Sequence, residues 1–183
     1  MNWYQLMKVL HFLGLIALFG FFVLASRAGA RLRASTTTSD ARTWLGLLEV
    51  ARPMLPSGVI MLTVSGAVMT GISWRAAYPF VVVGLVASLS IWAAWAVVGA
   101  RFLRDVREAL GDGEALVSPS VARLIHEPRS WGAIGALNGA AMGVLVIMTL
   151  KPQWIGSIAI VVALSALLGG AFVRTVSRRR AVR

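Results

Sequence analysis

Five apolar runs, each about as long as a bilayer core is thick, leave few folds open to this chain. They cover residues 4–25, 54–72, 80–100, 131–150 and 155–173. A helix rises 1.5 Å per residue, so a hydrocarbon layer about 30 Å thick takes roughly 20 apolar residues to cross. A soluble domain of 183 residues has no interior large enough for five such segments, and with 58% hydrophobic against 14% charged residues there is little polar surface to cover them. The expected fold is therefore all-α: one integral membrane domain, a bundle of five transmembrane helices in contact with the lipid bilayer.

The segments between the runs carry the orientation. Two loops are long, 26–53 and 101–130, and two are very short, 73–79 and 151–154. Arg27, Arg31, Arg33, Arg42 and Arg52 flank the first long loop, and Arg101, Arg104, Arg107, Arg123 and Arg129 occupy the second. Arg174, Arg178, Arg179, Arg180 and Arg183 form a basic tail over 174–183. Only Lys8, Arg75 and Lys151 fall on the other side, a division of fifteen against three. Because cations are retained on the cytoplasmic side, five spans with the N-terminus outside and the C-terminus in the cytoplasm are expected. All seven acidic residues, from Asp40 to Glu127, fall on that same side. Four or six spans would break the segregation. The net charge of +11 thus reads as a topology signal of a plasma-membrane protein, not as a nucleic-acid surface. A cleaved signal peptide is disfavoured, because Arg27, Arg31 and Arg33 would then lie on the translocated side.

Within the long loops, residues 43–52 read as an interfacial extension feeding the second span, bent near Pro53 and Pro56. Residues 101–110 continue the third span as a charged helix, with Asp105 and Glu108 spaced among three arginines. Gly111-Asp112-Gly113 breaks that helix. Residues 118–126 have the capping and periodicity of a short surface helix.

Candidate chemistry is sparse. No cysteine is present, which removes disulfides, thiolate metal sites and covalently attached haem. Gly135, Gly139 and Gly143 recur every four residues in the fourth span, a ridge that lets another backbone approach, whether a neighbouring helix, a second subunit or a flat cofactor. Asn138 on the same span is expected to hydrogen-bond across to a neighbour, because a lone amide in hydrocarbon is costly. His11 is the only histidine inside a span, roughly 10 Å below the end of the first helix at 1.5 Å per residue. An ionisable group at that depth is a functional candidate. Met7 and Lys8 share its helical face, and Met148 and Lys151 end the fourth span at a comparable depth, with Trp74, Arg75 and Tyr78 at the rim. Such a layer offers ligands to haem iron, or to copper(I) through Met and His; its alternative is a set of hydrogen bonds and snorkelling cations. Trp92 and Trp95, with Ser88, are expected to share one packing face of the third span. His126 reads as a solvated loop residue. Nucleotide-binding loops, zincin motifs, nucleophile elbows and paired intramembrane carboxylates are all missing.

Certain of these residues resemble a known pattern. The run Leu6-Met7-Lys8-Val9-Leu10-His11-Phe12-Leu13-Gly14 through Gly20 to Arg27, the stretch Gly58 to Gly71, and Met148-Thr149-Leu150-Lys151-Pro152 are similar to bacterial predicted integral membrane proteins of the CopD and HemJ-like grouping. The resemblance covers about residues 3 to 152 and implies a four-helix bundle with a histidine in its first helix. It associates such chains with copper, or with haem binding and porphyrinogen oxidation, and places His11 and Lys151 at the grouping's characteristic positions. Leu18-Phe19-Gly20-Phe21 stands where the grouping has Trp-x-Gly-Gly, and the fifth span is extra. The function expected is a non-covalent haem b or related redox-ligand site near the outer face, built from His11, Lys151, Met148, Met7 and Lys8. Copper binding and porphyrinogen oxidation are alternatives. So is an accessory subunit without chemistry, packing its fourth and fifth helices onto a larger membrane complex or a second copy.

Overall fold

A computed structural model describes residues 2–73, 78–111 and 116–181. Helix α1 (Trp3–Ala34) starts at a reciprocal cap in which the Asn2 side chain accepts from the Gln5 amide at 2.9 Å. It runs well past its apolar stretch because the buried positions Ala25, Ala28, Gly29 and Leu32 continue the helical spacing while Arg27 and Arg31 point outward. Helix α2 (Thr38–Ala51) begins where Thr37 Oγ1 accepts from the Asp40 amide, and buries Ala41, Leu45, Leu48 and Ala51 on one stripe. A turn at Arg52 and Pro53 leads into α3 (Met54–Ser73). Helix α4 (Pro79–Ala94) passes through a π turn, Trp95–Gly99, into the amphipathic α5 (Ala100–Leu110), which stops at Gly111 with φ of 55°. After α6 (Pro119–Ile125) come α7 (Pro128–Leu150) and α8 (Trp154–Ala181).

Among the described residues, five helical segments are long and apolar enough to cross a membrane: Trp3–Ala34, Thr38–Ile72, Pro79–Leu110, Pro119–Leu150 and Trp154–Ser177. Each outruns its apolar run at the same end, that of the long loops and the basic tail. There α2, α5 and α6 fold into a cap. Arg107 pairs with Glu49, Arg42 donates to the Gly111 carbonyl, and the Val117 amide donates to the Thr36 carbonyl at 3.0 Å. Helix α6 is more than the surface helix its composition suggests, since Val121 and Ile125 are each only 1% exposed. Trp131 explains why. Its ring is buried against Phe102 at 5.4 Å, its Nε1 donates to the Ile125 carbonyl at 2.6 Å, and the Arg33 guanidinium stacks on it at 3.9 Å. Phe21 packs edge-on to Trp95 at 5.0 Å, so one continuous core joins cap and bundle.

The bundle itself is assembled from two close pairs, α1 with α3 and α7 with α8; α4 lies against α7 and meets α3 more lightly. Ser88, Ile91 and Trp95 are buried on the α4 side of the bundle, whereas Trp92 is 40% exposed, so the two tryptophans do not share a face.

A histidine at the crossing of α1 and α3

Two glycines let α1 and α3 touch. A Cβ on Gly58 would lie 2.9 Å from both the Gly14 carbonyl oxygen and the Leu18 nitrogen, and one on Gly14 would lie 3.1 Å from the Gly58 carbonyl. The helices run antiparallel and Gly14 also faces Met61 and Leu62, so one turn from Gly14 towards the N-terminus matches one turn from those residues towards the C-terminus, and His11 meets Ser65. The imidazole Nδ1 stands 3.0 Å from Ser65 Oγ, and Ser65 is completely buried. The ring lies beside Gly66, whose missing side chain would otherwise meet His11 Cε1 at 3.7 Å.

The proton positions at this contact follow from donor counting. Ser65 Oγ also faces the Met61 carbonyl, which can only accept, so the single hydroxyl proton is directed there. His11 Nδ1 must then supply the proton of the imidazole–hydroxyl bond. In the neutral ring that leaves the lone pair on Nε2, the atom through which an imidazole with an oriented Nδ1–H ligates a metal.

The remaining residues of the expected layer are dispersed. Lys8 is exposed and stacks over Tyr4 at 5.2 Å, while Met7 is buried on α1. Met148 belongs to another contact, its methyl filling the space beside Gly84 of α4. Lys151 caps α7 in the left-handed region, φ 52° and ψ 48°, with its amide on the Ile147 carbonyl at 2.8 Å and its side chain exposed. The Lys-Pro pair therefore serves as turn chemistry between α7 and α8, Ser157 Oγ closing the turn onto the Pro152 carbonyl at 3.0 Å. Tyr78 precedes α4 and is exposed; Trp74 and Arg75 lie outside the described residues.

The glycine ridge of α7 faces α8. A Cβ on Gly135 would meet the Leu168 carbonyl at 2.8 Å, one on Gly143 the Val161 Cα at 2.7 Å, and one on Gly139 would overlap the Leu164 carbonyl. That space is filled by backbone and is closed to a flat cofactor. Asn138 donates to the Ile134 carbonyl at 2.8 Å, within its own helix, and among the described residues makes no bond of the expected kind across the interface. His126 likewise bonds locally, Nδ1 donating to the Ala122 carbonyl at 2.9 Å.

Ser65 is the residue that sequence reasoning missed. Its signal is a hydroxyl beside glycine, Ser65-Gly66, in an otherwise apolar run, the composition of a close helix contact. Among the described residues, no three histidine, cysteine or acidic side chains come together. The crossing thus offers one oriented imidazole lone pair, an atom suited to ligation. No protein-family model, curated protein or solved structure matches this chain.

Proposed function

We propose that this chain is a multi-pass protein of a bacterial plasma membrane that holds a redox-active ligand, foremost non-covalent haem b, through His11 near its outer face. The observation that carries the reading is the bond sequence from His11 Nδ1 to Ser65 Oγ to the Met61 carbonyl, which fixes the tautomer and leaves Nε2 as ligand atom. The resemblance to the CopD and HemJ-like grouping, whose first helix carries the same histidine, supports it. Orientation with the N-terminus outside rests on the division of cations, fifteen against three.

Of the five side chains expected around such a group, His11 is the one that a hydrogen bond to another helix orients. Met148 and Lys151 are committed to the packing and turn of α7, so the fit extends to one protein ligand. A bound haem would supply one-electron chemistry. The chain's own contribution is to orient the imidazole, hold its proton on Nδ1 and keep Nε2 unprotonated.

The test is the oxidised and dithionite-reduced visible spectrum of detergent-purified protein, beside His11→Ala and Ser65→Ala. The expected outcome is a Soret band and reduced α-band in the parent, lost in His11→Ala. Ser65→Ala should keep the bands with about 10- to 100-fold weaker haem retention, the usual range when a metal-bound histidine loses its orienting partner. A featureless spectrum from folded parent protein would sink the haem reading and favour the accessory subunit, which would be colourless and co-purify with partners.

A further inference from the structure

Helices α7 and α8 leave a second feature that the His11 reading does not use. On their outer side runs a cleft of about 660 Å³, lined by Arg129, Gly132 and Ala136 of α7 and by Val162, Ala166 and Gly170 of α8, among others. Small residues on both walls create it. The α8 wall extends from Val161 to Val173, twelve residues or roughly 18 Å of helix, the length scale of a lipid acyl chain. Ser165 faces the cleft, but its hydroxyl donates to the Val161 carbonyl of its own helix at 2.8 Å.

One charge heads this apolar trough. Arg129 lies at the basic end, is exposed, and among the described residues its guanidinium makes no ion pair. The nearby Glu127 carboxylate is engaged at the start of α7, accepting from the Arg129 backbone amide at 3.4 Å. Arg174 follows the last lining residue, Val173, and brings a second exposed cation to the same level of the helix pair.

We propose that the cleft binds one anionic phospholipid, an acyl chain lying between α7 and α8 and the headgroup phosphate on Arg129. Charge selects this occupant. A second copy docked symmetrically through the same face would bring its own Arg129 against this one, a like-charge contact in a low-dielectric layer. An anionic headgroup at that depth instead meets a guanidinium, whose fork geometry suits phosphate. The proposal rests on membrane insertion and not on ligation by His11, so a colourless protein leaves it standing.

Native mass spectrometry of the detergent-released full chain, titrated with phosphatidylglycerol or phosphatidylcholine of matched acyl chains, tests it. One tightly retained phosphatidylglycerol is expected, preferred over phosphatidylcholine by more than about fivefold, the preference from one surface arginine. Arg129→Gln should lower the preference about fivefold and Arg129→Gln with Arg174→Gln should erase what is left, whereas Arg123→Gln, an exposed cation of α6 away from the cleft, should leave it. Gly170→Leu should abolish retention without loss of fold, because nothing lies within 4 Å of a Cβ at that position. Equal retention of the two lipids, or an equal loss in the Arg129 and Arg123 variants, would overturn the proposal. So would a parent dimer that Gly170→Leu converts to monomer, since the cleft would then hold a helix.

Discussion

The α7/α8 pair and the α1/α3 pair are both built on glycine and both turn polar side chains back onto carbonyls of their own helices, yet only the second adds the His11–Ser65 bond between helices. Along α7, glycine at 132, 135, 139 and 143 brings α8 into backbone contact over several turns. There Asn138 and Ser165 both turn back onto carbonyls of their own helices. At the α1/α3 crossing Gly14 and Gly58 make a single close approach, and beyond it the imidazole of His11 reaches across to Ser65. Shape alone holds the first pair. The lesson is that an apolar layer does not force polar groups to bond between helices, because each helix offers carbonyls of its own. A polar bond that does cross, between a histidine and a fully buried serine, is therefore a feature that packing did not require, which marks it as a candidate for function.

Substitutions can break this contrast or sharpen it. The largest effect is expected from Gly139→Ala, whose Cβ would overlap the Leu164 carbonyl. Backbone cannot yield as a side chain can, so a loss of about 3 kcal/mol is expected, read as a lower unfolding midpoint in detergent. An unchanged midpoint would mean that α8 does not sit on the ridge. Gly58→Ala should follow at about 2 kcal/mol, since it meets the Gly14 carbonyl and the Leu18 nitrogen but only at one crossing. A loss equal to that of Gly139→Ala would remove the distinction between extended and point contact. The smallest effect belongs to the polar bond. A double-mutant cycle of His11→Ala and Ser65→Ala should give a coupling of about 0.6 kcal/mol, typical of hydrogen bonds inside membrane proteins. Zero coupling would make the two pairs alike in kind.

The five long apolar helices were legible because apolar length is a one-dimensional property. The end of α1 was less so, since it continues as a helix through arginine-rich sequence in which burial of Leu32, not hydropathy, maintains the stripe, whereas α5 was expected over 101–110 from its charge spacing. His11 stood out as the lone histidine of the five apolar runs, and the glycine spacing pointed to a packing ridge. What depth along the membrane could not convey was azimuth. Met148 and Lys151 were expected near the level of His11 but sit at the end of α7, which packs chiefly on α8 and α4. Ser65 escaped notice for the complementary reason: only the rotation of α3 against α1 distinguishes it from Thr63 and Thr70, one of which is bonded to its own helix at the Gly66 carbonyl.

The π turn at Trp95–Gly99 connects the two levels of the molecule. A π turn takes in one residue more than an α turn, so everything beyond it is set back by a fraction of a revolution. Before the turn, Gly84, Ser88 and Ile91 face the bundle; after it, Phe102, Leu103, Val106 and Leu110 face the cap core, and α5 lies against α2. The segment therefore acts as a vernier between the apolar bundle and a cap whose apolar stripes would otherwise drift out of phase. At these five residues chain length carries information that composition does not. Removing one residue there would keep the span apolar and long enough to cross, yet would swing Val106 towards solvent and the arginines of α5 towards Leu45 and Leu48.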